Sequence, residues 1–364
     1  MKKISLVLMC VCLLFLTGCG KTSESDLINK WNKKVEDSKG YLMTGQLEIV
    51  NNDDVYNYNV SSAYKDGDYY RISLTNTANN HEQIILKNDD GIFVLTPSLR
   101  KSFKFQSDWP YNNSQIYLLQ SIISDLKNDS KKEMVQEDKN YIFTHTVNYP
   151  NNRNLIKQEV TLTEDMELKK VVVLTDTDVP KMTLTVKDID YSPNFSNDYF
   201  DLDEIMSTSE NNTDQNTTEE EQNTEENSDT TKESEDSTTT EEGTTEESSS
   251  IDDIIYPLVL PEGTTLKSEE KVSKTDGERV ILTFEGDKPF LLVEETVTKE
   301  DEWTIIPTAG EPYLFMDTIG ALTDNSLTWT SGGMEYYIVS DVMNQEELVE
   351  VAGSINVIPT MNVK

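Results

Sequence analysis

The sequence predicts an α+β protein: a half-open antiparallel β-barrel plugged by helices, then an acidic linker, then a small C-terminal α+β domain. Three observations predict it. Between residues 40 and 190, short runs of alternating apolar residues are separated by polar turns at regular spacing. Two helix-period apolar stripes accompany them, one ahead of those runs and one among them. A stretch rich in Glu, Thr, Ser and Asn, residues 206–250, has neither period and divides the chain.

The elements follow in chain order. Lys2 and Lys3 precede an apolar run from Ile4 to Leu16. That run is too short for a spanning helix, which needs about 20 residues, and suits the apolar part of an export signal. It closes on Leu16-Thr17-Gly18-Cys19, which resembles the lipobox of bacterial lipoproteins. The resemblance implies removal of a signal peptide, residues 1–18, by cleavage between Gly18 and Cys19. It also implies attachment of palmitate-type acyl chains to Cys19. Two chains suffice for stable membrane residence, where one anchors only marginally. The other two cysteines, Cys10 and Cys12, lie in the removed segment, so the mature chain is expected to have no disulfide. Residues 19–25 are a tether; beyond Cys19 it reaches only about 20 Å when extended.

Leu27, Trp31 and Val35 recur four apart and predict a first helix from about Asp26 to Asp37, capped by Ser25 and stopped at Gly40. Strands are then read from shared parity: Met43, Leu47 and Ile49; Tyr56, Tyr58 and Val60; Tyr70, Ile72 and Leu74; Ile84 and Leu86; Ile92 to Leu95; Phe103 and Phe105. Later runs are Tyr141 to Val147, Val160 to Leu162, Leu168 to Leu174, and Met182, Leu184 and Val186. This pattern reads as a meander with one buried face. A second helix, Gln115 to Leu126 with Ser114 as its cap, carries Ile116, Leu119, Ile122, Ile123 and Leu126 on one side. Pro110 holds Trp109 extended just before it.

Two quoted stretches carry a resemblance. "ISLTNTANNHEQIILKNDDGIFVLTPSLRKSFKFQSDWP", residues 72–110, and "SQIYLLQSIISDL", residues 114–126, resemble the LolA superfamily of lipoprotein carriers. Within it they are most like the germination lipoprotein GerS and YdcC-related group of spore-forming bacteria. The resemblance covers residues 26–205. It implies an incomplete barrel whose apolar hollow can take acyl chains. It also implies action in sporulation or germination through a protein partner, a cortex amidase. The superfamily's buried arginine has an approximate counterpart in Arg71. Trp109, Phe103, Phe105, Tyr70 and Arg71 are the candidate groove or partner contacts, with Trp109 foremost at the mouth of the hollow. The alternative for the aromatic residues is the packed core and rim of a curved sheet.

The formal net charge is −36, and from Ser207 to Ser250 there are 15 acids against one lysine. Such a segment buries too little apolar surface to offset its ordering entropy and is expected to be a disordered linker. Nucleic acid needs a basic footprint and is excluded as a partner.

In residues 251–364, Val280, Leu282 and Phe284 alternate, and "LTWTSGGMEYYIVSD", residues 327–341, reads as a hairpin around Gly332-Gly333. Asn344 to Glu347 has capping-box spacing before Leu348, Val351, Ala352 and Ile355. This pattern resembles a DUF4367-type domain of exported bacterial proteins.

Nothing in the chain assembles into a catalytic constellation. His81 and His145 lie far apart, and the acid pairs Asp188/Asp190 and Asp201/Asp203 fall at strand ends. No metal and no cofactor is expected. The sequence therefore predicts a non-enzymatic lipoprotein on the outer face of the cytoplasmic membrane or in the spore envelope. Its predicted contacts are the membrane, through the anchor, and a protein partner or acyl chain. The alternative is an envelope-stress sensor or regulator of the RseB-like kind.

Overall fold

The computed structural model describes residues 23–355 apart from 52–53, 210–249, 252 and 276. The expected cleavage and lipidation positions Gly18 and Cys19, and nearly all of the linker, lie outside the described residues.

Strands dominate, and they form two open sheets. The first sheet holds β1 (Gly40–Asn51), β2 (Asp54–Lys65), β3 (Tyr69–Asn76), β4 (Glu82–Asn88), β5 (Gly91–Thr96) and β6 (Lys101–Phe105). It continues with β7 (Glu133–Glu137), β8 (Asn140–Thr146), β9 (Leu155–Thr163), β10 (Leu168–Thr175) and β11 (Pro180–Asp190). β1 pairs with both β2 and β11, which joins two antiparallel meanders back to back. These eleven strands run in the order β6-β5-β4-β3-β2-β1-β11-β10-β9-β8-β7, so β6 and β7 lie far apart in the sheet and the barrel does not close.

Two helices fill its concave side. The first, α1 (Glu24–Ser38), buries Leu27, Ile28, Trp31 and Val35. Its cap is Ser23 rather than Ser25, because the Ser23 hydroxyl accepts from the Asp26 backbone N–H. Lys39, in the left-handed conformation, ends it, which leaves Gly40 free to open β1. The second, α2 (Leu119–Asn128), starts four residues later than its periodicity predicts. The Ser114 hydroxyl accepts from Asn148 N (2.8 Å), and Gln115 N donates to Ser121 Oγ (2.8 Å). That ties the segment to the sheet, so Ile116 and Tyr117 are buried without being helical.

The expectation of a single buried face fails at β4 and β5. Ile85, Ile92 and Val94 face the helices, while Ile84, Leu86, Phe93 and Leu95 form a second cluster on the convex side with Phe200, Leu202 and Ile205. A third helix, α3 (residues 202–209), lies there. Burial on both sides explains the unbroken apolar run Ile92 to Leu95.

The second sheet holds β12 (Thr264–Lys274), β13 (Gly277–Gly286), β14 (Phe290–Thr296), β16 (Glu311–Phe315), β17 (Thr318–Leu322), β18 (Ser326–Ser331) and β19 (Met334–Val339). The β18–β19 turn is Gly332-Gly333, both at positive φ (59° and 78°), as a two-residue hairpin loop requires. Helix α4 (Gln345–Gly353) starts in the expected capping box between Asn344 and Glu347. It packs Leu348, Val351 and Ala352 on the inner face.

The sequence describes two self-standing parts; the structure joins them. Strand β15 (Thr304–Thr308) leaves the second sheet and pairs in parallel with β6, becoming the twelfth strand of the first.

Candidate functional site

The hollow of the first sheet is the natural place for cargo, and the structure fills it. Trp31, Trp109, Leu119, Ile122 and Phe143 are all fully buried in one continuous cluster. Trp109 meets Tyr70 edge-on, with ring centroids 5.8 Å apart. Tyr70 and Phe105 are buried beside it, and Phe103 packs half-buried on the same cluster. The expectation that Trp109 stands at an open mouth is therefore corrected: the helices leave its ring no solvent-facing side. Arg71 is not in this group. Successive strand residues point to opposite faces, so it emerges on the convex side. There its guanidinium donates to the Tyr199 carbonyl (3.1 Å) and sits 4.8 Å from the Tyr199 ring centroid.

The second part closes what the helices leave open. Leu314, Ile319 and Ala321 pack into the first core. Buried Tyr58 donates to the Met316 carbonyl (2.6 Å). Buried Gln83 accepts from Ile319 N (2.6 Å) and Thr318 Oγ1 (3.1 Å). Asn51 Nδ2 donates to the Gly353 carbonyl (3.1 Å). Glu311 receives the side-chain amides of Asn112, Asn113 (3.4 Å) and Asn151 (3.3 Å). Burial raises the pKa of the Glu311 carboxyl, with the Asn151 contact acting against that shift. Gln83 is a joint residue that the sequence reading missed. Its signal was available: it shares parity with the inward Ile85, where a polar side chain needs a buried partner.

What remains of the hollow is a cavity of about 60 Å³ between Tyr117, Tyr149, Leu155, Met182, Tyr313 and Leu314, with Asn113, Gln115 and Asn151 also in its wall. At about 10–15 Å³ of such space per water, it has room for only a few waters, which is too little for an acyl chain. Two open clefts of about 330 and 310 Å³ flank α2, and their walls are mixed polar and apolar.

The titratable groups are built into packing. His145 is buried, its Nδ1 lies 2.9 Å from the Thr146 carbonyl, and burial lowers its pKa. His81 Nδ1 lies 3.1 Å from Ser98 Oγ, and its pKa is also lowered by burial. Asp188 and Asp190 pair along β11 with Thr44 and Leu42, and Asp201 and Asp203 border the start of α3. Among the described residues, no group of three or more His, Cys, Asp or Glu side chains could hold a metal ion. Among them also, no helix is long and apolar enough to cross a membrane.

The chain is 33% identical over 344 residues to the sporulation protein YdcC of Bacillus subtilis (strain 168), covering 94% of this chain and 93% of that protein. No family profile matches. Among solved structures, the MucA/MucB complex of Pseudomonas aeruginosa aligns with 91% of this chain and 98% of that one, at 13% identity and a TM-score of 0.31. The GerS lipoprotein complex with the CwlD amidase, from Clostridioides difficile, aligns with 48% of this chain and 98% of that one, at 18% identity and a TM-score of 0.29. Such scores describe a loose likeness of shape.

Proposed function

The chain belongs to the family of the sporulation protein YdcC, and from that premise we propose that it is an exported, lipid-anchored, non-catalytic protein that holds a protein partner in the envelope of a sporulating cell. Cys19 is its acylated N-terminus after cleavage at Gly18, on the outer face of the cytoplasmic membrane. A wall-trimming amidase is the partner class that the sequence resemblance implies. One observation carries the choice of a protein over an acyl chain. The hollow is filled from within by α1, α2 and Trp109, and closed from outside by β16 and β17. A lipid would have to displace a packed core, whereas a protein needs only surface. The anchor supports the same reading, because a shuttle must leave the membrane.

The test is gentle affinity purification from sporulating cells, followed by native mass spectrometry. A protein retained near one-to-one, without bound lipid, is expected. Stoichiometric lipid with no protein would overturn the reading in favour of a carrier. Cys19→Ser should move the chain from the membrane fraction to the soluble one, and unchanged sedimentation would refute the anchor.

A further inference from the structure

In the first sheet every pairing is antiparallel except the last, where β15 lies parallel on β6. The segment between β14 and β16 leaves its own sheet to make that contact, although β14 is already paired on both sides by β13 and β19. Without β15, β6 would be a bare edge, a ready template for another strand.

The contact is chiefly main-chain. Thr304 N donates to the Arg100 carbonyl (3.0 Å) and Glu300 N to the Leu99 carbonyl (3.2 Å). Arg100 Nη1 donates to the Asp301 carbonyl (2.9 Å). Such bonds accept any extended chain; specificity needs side chains. Two features supply it. Trp303 packs on the convex cluster, and Ile305, two residues on, stays 44% exposed beside Phe93 and Leu202. In a chain of net charge −36, strand β6 and the residue before it carry Arg100, Lys101 and Lys104, with Asp90, Asp201 and Asp203 around Lys104 and Glu335 3.9 Å from Lys101. The arriving segment leads with Glu300, Asp301 and Glu302, and Lys101 Nζ lies 4.0 Å from Glu300.

We propose that the β6 edge is a strand-accepting site for an extended, acidic segment of a partner protein bearing an aromatic and an aliphatic residue two apart, and that β15 is the chain's own stand-in. This rests on the partner-holding reading above and says where the partner is held. The stand-in belongs to the same chain, so its effective concentration is about millimolar, which a micromolar competitor does not match. Free partner is thus refused until β15 is drawn away.

The probe is a fluorescein-labelled synthetic peptide of residues 299–309, titrated into the purified full chain. Wild type should bind it weakly. A chain with Trp303→Ala and Ile305→Ala, whose own strand is weakened, should bind it at least tenfold more tightly, and salt should reduce that affinity. A second variant, Ser102→Cys with Ile305→Cys in a chain whose own three cysteines are serine, should refuse the peptide when oxidised and take it up when reduced. These two positions face each other in register, within reach of a disulfide. Hydrogen exchange on wild type should show β6 and β15 amides less protected than those of β4. No tighter binding in the weakened chain, equal binding by the oxidised and reduced forms, or equal protection of β4 and β6 would each overturn the proposal. Peptide binding needs no cellular partner. A positive result here with nothing recovered from cells would sink the cellular reading and leave the edge site standing.

Discussion

The two sheets face the same problem, an apolar face that must be covered, and they cover it with different materials. The first uses helices. Both α1 and α2 satisfy their own backbone groups internally, so the face beneath them is free to be apolar. The second uses α4 for part of its inner face and an extended segment, residues 253–260, for the rest. An extended cover has backbone N–H groups with no partners of their own. The sheet and α4 supply them: Ile255 N donates to both oxygens of Glu294 (3.1 and 3.2 Å), and Val259 N to Ser354 Oγ (3.0 Å). Glu294 is only 1% exposed. The nature of the cover thus decides whether a core contains a carboxylate.

The comparison breaks first at Trp31. That ring is fully buried between α1 and the sheet, and it holds the helical cover down. Trp31→Ala should cost about 3–5 kcal/mol, the usual range for deleting a buried tryptophan. Urea unfolding followed by far-ultraviolet circular dichroism checks this. A loss below about 1 kcal/mol would mean that α1 rests on the sheet without stabilising it.

Legibility follows the same divide. Where a sheet is covered by helices, side chains alternate cleanly, and Met43, Leu47 and Ile49 or Tyr70, Ile72 and Leu74 are readable as inward positions. The hairpin at Gly332-Gly333 and the capping box at Asn344 are local chemistry and were equally readable. Strands whose pairing is decided by a distant neighbour were not. The sequence of β12, TTLKSEEKVSK, is exposed almost throughout and shows no apolar period, because it is an edge strand held by backbone bonds to β13. The sequence of β15 contains Pro307, which argues against a strand unless it lies on an edge. At the candidate site, the reading of the aromatic residues as the packed core and rim of a curved sheet fits Tyr70, Phe105 and Trp109, whereas the open mouth expected beside Trp109 was not foreseen as closed. The cluster that buries Trp109 is completed by α2, which begins at Leu119, and by Ile319 and Leu314 from the other side of the linker.

Glu294 sharpens the comparison through pH. Burial, with a smaller contribution from the charge of Glu269, raises its carboxyl from the ordinary 4.5 to about 7 in the folded state. A raised acid favours the folded state while it is protonated. Its contribution is therefore fully present below about pH 4.5 and is lost as pH rises towards 7. Glu294→Gln retains an acceptor for Ile255 N and removes the buried charge. It should raise stability by about 2–3 kcal/mol at pH 8 and change little at pH 4.5. Urea midpoints at the two pH values decide the matter. A variant less stable than wild type at pH 8 would show that the carboxylate, rather than an acceptor alone, is what the extended cover requires.

The smallest effect belongs to α4. The Asn344 side chain accepts from Glu347 N (3.0 Å), and the Glu347 carboxylate accepts from Asn344 N (3.1 Å) while also pairing with Lys288. Asn344→Ala removes the first of these bonds and should cost about 1 kcal/mol, read from the same urea midpoints. The limit follows from the division of labour on that face. Leu348, Val351 and Ala352 cover only what the extended segment does not, and Ser354, just past the helix, still anchors Val259. A fraying first turn therefore exposes little core. A loss well beyond 2 kcal/mol would mean that α4 positions the segment over Glu294, and the two covers would then have to be counted as one cooperative layer.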